Sequence, residues 1–193
     1  MKWMIASDIH GSAYYCEKML AAFDKEQADR LLLLGDLLYH GPRNDLPREY
    51  NPKEVIRLLN DRKEKILCVR GNCEAEVDQM VLQFPVTAEY AFICDEGHTI
   101  FATHGHVFGE NNPPLLQAGN VLLCGHTHVP RCVKHKLSDS EHKDTEADSF
   151  FVYMNPGSVS IPKEGSHHGY MVLEDGKFVW KDLDGNVVME YKK

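Results

Sequence analysis

Short apolar runs recur along the chain, and several of them end in a polar residue after a tight turn. Lys2 to Ser7 reads as a buried strand that runs into Asp8-Ile9-His10-Gly11. Ser12 to Gln27 reads as a helix, with Ser12 placed to cap it and Tyr15, Met19, Ala22 and Phe23 at helical spacing. Arg30 to Leu34 is a second buried strand, closed by Gly35-Asp36. A turn-rich loop from His40 to Asn51 follows. Pro52 then suits the first turn of a helix whose apolar face is Val55, Ile56, Leu58 and Leu59. Ile66 to Val69 is a third strand, ending in Arg70-Gly71-Asn72-Cys73. The order β-α-β-α-β predicts a parallel sheet with crossover helices, in which ligands collect beyond the carboxyl ends of the strands.

The second half has a different rhythm. Tyr90 to Cys94 and Thr99 to Thr103 read as strands joined by a turn, and His104-Gly105-His106 follows them. Pro113 to Ala118 is expected to be a short helix. Val121 to Cys124 is a strand ending in Gly125-His126-Thr127-His128. Short strands at Arg131–Leu137, Phe150–Met154, Tyr170–Leu173, Phe178–Lys181 and Val187–Tyr191 complete a mostly antiparallel part. The charged stretch 138–149 reads as a solvated hairpin tip, an insertion in a single domain spanning 1–193.

Composition narrows the function classes. The chain has 193 residues, enough for a core without disulfides. No apolar run is long enough to span a membrane, and the first residues do not form a signal segment. The six cysteines form no C-x-x-C pair, so a reduced, cytoplasmic protein is expected. A net charge of −8 argues against a broad nucleic-acid surface, but not against a small anionic substrate held by metal ions.

The chemistry gathers at the strand ends. Asp8, His10, Asp36, Asn72, His104, His126 and His128 offer two carboxylates, one amide and four imidazoles. Mixed oxygen and imidazole donors suit Mn, Fe, Co, Ni or Zn better than Ca or Mg. The set exceeds the needs of one ion, so two ions sharing a carboxylate is the economical reading. The i, i+2 spacing of Asp8/His10 and His126/His128 would aim both side chains one way in an extended segment. The glycines before Asp36, Asn72 and His126 would permit close backbone approach.

Asp8-Ile9-His10, Gly35-Asp36, Gly71-Asn72-Cys73-Glu74, Thr103-His104-Gly105-His106 and Gly125-His126-Thr127-His128 resemble the five blocks of calcineurin-like metallophosphoesterases. His40-Gly41-Pro42-Arg43-Asn44, Val69 to Cys73 and Asn155 to Pro162 narrow the resemblance to the small bacterial YfcE-type phosphodiesterases. The resemblance implies an α/β fold, a four-layer αββα sandwich of two mixed sheets flanked by helices, with a dinuclear site at one edge. It implies that Asp8, His10 and His128 hold one ion and Asn72, His104 and His126 the other. Asp36 would bridge them. Mn is the metal it favours, with Zn, Ni, Co or Fe also fitting the donors.

The expected function is hydrolysis of a small phosphodiester by in-line attack of a hydroxide held between two divalent ions. Asp36, Asn72 and His104 carry the catalytic expectation, and Arg43, Asn44, Cys73 and His106 the substrate contacts, with Arg70 a weaker donor. Many members of the broad family have His where this chain has Cys73. A thiol is a poorer general acid, which predicts a preference for diesters with good leaving groups. Gly35-Asp36-Leu37-Leu38-Tyr39 also matches the G-D-x-x-Y of purple acid phosphatases, whose tyrosine ligates iron. Those enzymes carry glycine where His10 stands, so Tyr39 is the lesser reading. Alternatives are a non-catalytic protein-binding scaffold, as in the retromer subunit of this fold, and a monoesterase or nuclease with the same centre. Neither nucleic acid nor membrane is expected as a partner, and a homo-oligomer is left open. Asn155-Pro156-Gly157-Ser158 is expected to support the loop that bears His126 and His128.

Overall fold

A computed structural model describes residues 1–95, 97–137 and 150–192. The strands are β1 (Trp3–Ala6), β2 (Arg30–Leu33), β3 (Ile66–Cys68), β4 (Tyr90–Asp95), β5 (His98–Thr103), β6 (Val121–Leu123), β7 (Pro130–Lys136), β8 (Phe150–Pro156), β9 (Gly169–Glu174), β10 (Lys177–Asp182) and β11 (Val187–Lys192). The α-helices are α1 (Ala13–Glu26), α2 (Pro52–Asn60) and α3 (Asp78–Val81). Capping explains where the two longer helices begin. Ser12 accepts a hydrogen bond from the Tyr15 N–H, and the Asn51 side chain accepts one from Glu54 just ahead of Pro52.

The strands form a six-stranded sheet, β11-β10-β9-β1-β2-β3, and a five-stranded sheet, β4-β5-β6-β8-β7. Both are mixed. β1, β2 and β3 run parallel, as do β5, β6 and β8, while the outer pairs are antiparallel. The second half is therefore mostly antiparallel around a parallel centre.

Strand alternation sorts the apolar residues into layers. On β1 and β2, Met4, Ala6, Leu31 and Leu33 face α1 and α2, while Ile5 and Leu32 face the second sheet. There they meet Ile100, Ala102, Val121, Leu123, Val152 and Met154. Phe178 and Trp180 of β10 complete this inner layer, and the Trp180 indole N–H donates to the Asn155 carbonyl at 2.7 Å. The other face of the five-stranded sheet presents Phe101, Leu122, Phe151 and Tyr153, covered by Phe108, Leu116 and Leu137. The two packed sheets are the expected α/β sandwich.

That outer cover is a loop, and the helix expected at Pro113–Ala118 does not form. Pro114 disfavours a helical conformation at Pro113, neither residue has an N–H to donate, and Leu115 is fully exposed, so no apolar face anchors a turn. The charged stretch at 138–149 lies outside the described residues. The β7–β8 register ends at Lys136 opposite Phe150, so that stretch connects an antiparallel pair. No helix among the described residues is long and apolar enough to cross a membrane.

Candidate metal centre

The parallel strands of both sheets deliver their ends to one edge of the molecule. Asp8 and His10 follow β1, Asp36 follows β2, Asn72 follows β3, His104 follows β5, and His126 and His128 follow β6. The antiparallel additions β4, β7 and β9–β11 contribute none of the seven.

Five of these residues have left-handed backbones: Asp8 (φ 60°), His10 (49°), Asp36 (56°), His126 (67°) and His128 (63°). Such conformations cost on the order of 1–3 kcal/mol each and persist where surrounding structure over-determines them. This corrects the expectation of extended D-x-H and H-x-H segments. Two left-handed residues flank Ile9, which is itself wholly buried, and the turn rather than a strand pleat aims both side chains. Gly71 and Gly125 have no room for a side chain. A Cβ on Gly71 would run into Asp36 Oδ1, and one on Gly125 into the Ser7 hydroxyl.

The side chains converge. His128 Nε2 lies 3.2 Å and His10 Nε2 3.5 Å from Asp8 Oδ1, and the two nitrogens are 3.3 Å apart. Asp36 Oδ1 lies 3.4 Å from His104 Nε2, and Asp36 Oδ2 lies 3.6 Å from His10 Nε2. Asn72 Oδ1 is 3.0 Å and His126 Nδ1 3.2 Å from His104 Nε2. Asp36 therefore turns one oxygen toward each group of histidines.

The rings have fixed tautomers. His10 Nδ1 contacts the Tyr39 carbonyl at 2.8 Å, His104 Nδ1 the Leu34 carbonyl at 2.6 Å and His128 Nδ1 the Ile161 carbonyl at 2.8 Å. A carbonyl only accepts, so each Nδ1 carries the proton and each ring, in its neutral form, offers its Nε2 lone pair inward. Asp8 Oδ1 is wholly buried and has no hydrogen-bond partner among the described residues. Lone pairs and carboxylates pointed at one another with no Lys or Arg among them repel, unless cations sit between them. That donor set fits divalent transition-metal ions.

The carboxylates and imidazoles shift one another's titration. His104 is pushed up to about 9: burial pulls it down, but the hydrogen bond to Asp36 and the charges of Asp8 and Asp36 outweigh it. Burial is also the largest influence on Asp8 and raises it, yet contacts with His10, His128 and His104 hold it well below the usual carboxylate range. His126 goes the other way, down to about 4, through burial and then the neighbouring His104 charge.

Beside the centre lies a cleft of about 450 Å³. His10, Asp36, Asn72, His126 and His128 form its floor, and Arg43, Asn44 and Cys73 stand in its wall. His106 does not line it. That ring is exposed, 5.4 Å from the ring of His104 and 6.2 Å from that of His126. His104 is fully buried and does not line the cleft either. Arg70 is drawn away by Glu76 at 3.5 Å and the Glu74 carbonyl at 3.4 Å. The Tyr39 ring packs edge-on against His40 and stays out of the cleft, although the Tyr39 carbonyl orients His10.

Glu74 closes the Gly71-Asn72-Cys73-Glu74 block and has a supporting role that the block does not reveal. Its buried carboxylate accepts N–H bonds from Asp36 (2.9 Å), Leu37 (2.7 Å) and Gly71, tying the β2 and β3 turns together. Cys73 N donates to Asp36 Oδ1 at 2.9 Å. Asn155 Nδ2 donates to the Gly125 carbonyl at 2.6 Å, and the Ser158 and Ser160 hydroxyls both donate to the Asp8 carbonyl. The segment after β8 thus buttresses the Asp8 turn as well as the His126 turn. The signal for Glu74 in the sequence is its place at the end of the Gly71-Asn72-Cys73-Glu74 block.

Residues 1–176 match the family model described as the calcineurin-like phosphoesterase superfamily domain. The chain is 45% identical over 175 residues to "Phosphodiesterase YfcE" of Escherichia coli K12, covering 91% of this chain and 88% of that one. It superimposes on the structure of YfcE, a phosphoesterase from E. coli, with a TM-score of 0.87 and 42% identity over 99% of this chain and 98% of the other. It also matches wild-type Vps29 of Entamoeba histolytica, complexed with Zn²⁺, at a TM-score of 0.55 and 17% identity over 99% and 98% of the chains. That last likeness shows the fold alone.

Proposed function

The chain belongs to the calcineurin-like phosphoesterase superfamily, and from that premise we propose that it is a metal-dependent phosphodiesterase acting on a small phosphodiester. The observation that carries the reading is Asp36, whose two oxygens face two separate groups of histidines. Asp8, His10 and His128 would hold one divalent ion, Asn72, His104 and His126 a second, and Asp36 would be shared. Mn²⁺ is the first choice, with Zn²⁺, Ni²⁺, Co²⁺ or Fe²⁺ compatible with the donors. Such ions supply Lewis acidity toward the phosphoryl oxygens and an acidified water for in-line displacement.

The residues of the chain set the rest. Carbonyls of Tyr39, Leu34 and Ile161 fix the ring orientations. Glu74 fixes the Asp36 turn. Arg43 and the Asn44 amide stand where they can meet negative charge developing on the substrate. Cys73 sits beside Asp36, and burial, followed by the Asp36 charge, pushes its thiol well up. It is therefore neutral and weakly acidic, which favours leaving groups that need no proton.

The test is hydrolysis of bis-p-nitrophenyl phosphate by metal-stripped protein, with and without Mn²⁺, beside Asp36→Asn. Activity that returns with metal and vanishes in the variant supports the diesterase. Folded protein that stays inactive with every one of these metals overturns it in favour of the scaffold.

A further inference from the structure

Lys163 lies in the loop between β8 and β9 and lines the same cleft as Arg43. Its backbone is anchored to the metal-site loop, because Lys163 N donates to the His128 carbonyl at 3.2 Å. The Ser166 hydroxyl donates to the Lys163 carbonyl at 2.6 Å and holds the turn closed. Lys163 is therefore presented at a fixed place, with its side chain exposed to the cleft.

Arg43 and Lys163 are alike in making no ion pair among the described residues. Every other arginine of the chain is tied to a carboxylate or a carbonyl: Arg30, Arg48, Arg57, Arg62, Arg70 and Arg131. Among the described residues, the only carboxylate lining the cleft is Asp36, which faces the histidines. Two divalent ions would exceed the charge of Asp8 and Asp36, so the floor offers the two cations no neutralisation. In a chain of net charge −8, two unpaired cations in one cleft leave room for an anionic group on the ligand. The cleft volume of about 450 Å³ is more than one phosphodiester group fills.

We infer that Lys163, with Arg43, binds a second phosphate on the substrate, so that this enzyme prefers diesters bearing a terminal phosphomonoester beyond the scissile bond. The inference rests on the phosphodiesterase reading and narrows its substrate class.

A matched pair of probes tests it: thymidine 5′-(p-nitrophenyl phosphate) and the same compound carrying a 3′-phosphate. With Mn²⁺ present, the wild type should show at least about tenfold lower KM for the 3′-phosphorylated probe. Lys163→Ala should collapse that preference toward unity, Lys163→Glu should reverse it, and Lys163→Arg should keep it. Calorimetric binding of thymidine 3′,5′-bisphosphate against thymidine 5′-monophosphate gives the same comparison without turnover. Equal affinity of the wild type for the two ligands, or equal weakening of both by Lys163→Ala, overturns the inference. Failure to hydrolyse either probe while the bisphosphate preference persists would instead overturn the diesterase reading and leave the second-phosphate site standing.

Discussion

Carboxylates lie at both ends of β1, buried at one end and partly exposed at the other, and they are neutralised in different ways. Beyond its carboxyl end, Asp8 and Asp36 meet imidazoles and backbone, with no Lys or Arg in contact among the described residues. At its amino end, Glu26 of α1 meets Lys181 at 2.6 Å, Lys2 at 3.2 Å and the Tyr170 hydroxyl at 3.0 Å. The second arrangement is self-sufficient: the chain supplies the cations, and the cluster ties α1 to β10 and the start of β1. The first is incomplete with protein groups alone. A fold that neutralises a carboxylate with lysine at one end, and lines the other with histidine, fits the proposal that divalent cations take the second place.

The sharpest way to break this comparison is to remove one charge from each group. Asp36→Asn keeps the shape but cannot offer two anionic oxygens, and should lower metal-dependent hydrolysis by about 10³-fold or more. Glu26→Gln should leave kcat and KM for bis-p-nitrophenyl phosphate within about twofold, since Glu26 touches neither the centre nor the cleft. Parallel steady-state kinetics decide the matter. Equal losses in both variants would mean that the two groups do not differ in kind.

Glu74→Gln comes next. Three backbone N–H groups need acceptors, and an amide presents its own donor to at least one of them. Metal affinity should fall by about 10–100-fold, as when a supporting partner of a ligand is lost. Isothermal titration with Mn²⁺ measures it. Unchanged affinity would mean that the Asp36 turn holds its left-handed shape without help.

Cys73→His changes a preference more than a rate. It should raise activity on unactivated diesters relative to bis-p-nitrophenyl phosphate by about tenfold, because an imidazole titrates near neutral pH while the Cys73 thiol does not. A ratio that stays fixed would remove residue 73 from leaving-group chemistry.

The parts of the structure that were legible in the sequence are those written in periodicity. The apolar runs before Asp8, Asp36 and Asn72 gave parallel strands, and placing ligands at their carboxyl ends follows from sheet topology. What stayed hidden was conformation set by tertiary contact. Nothing local marks Asp8 or His126 as left-handed. The Ser158 and Ser160 hydroxyls, 150 and 152 positions away from Asp8, help impose the first, and the Asp8 carboxylate itself accepts from His126 N at 3.0 Å. His106 differs from its motif partner His104 in placement. Sharing a motif with His104 suggested a substrate contact, but one residue of glycine turn sends its ring out of the cleft. His135 and His168 are engaged by contacts that no motif marks: His135 bonds Glu110 at 3.0 Å, and His168 stacks on Tyr15 at 4.0 Å.

The smallest effect concerns pH at the self-sufficient end. Burial raises the Glu26 pKa, but the contacts with Lys181, Tyr170 and Lys2 outweigh it, and the net shift is below its ordinary 4.5. A carboxylate whose folded pKa is depressed contributes stability that is fully present above its unfolded pKa and is lost as pH falls through the folded value. The wild type should therefore lose this contribution below about pH 4.5, while Glu26→Gln, already without it, should show a shallower acid limb. At neutral pH the variant should be less stable by about 1–2 kcal/mol, the scale of hydrogen bonds to a charged group at a site that keeps some solvent contact. Urea unfolding of metal-stripped wild type and variant at pH 7 and pH 4 reads both quantities and separates them from the metal centre. A gap between the two proteins that is as wide at pH 4 as at pH 7 would show that Glu26 acts through packing, and that lysine neutralisation at this end of β1 adds nothing to the fold.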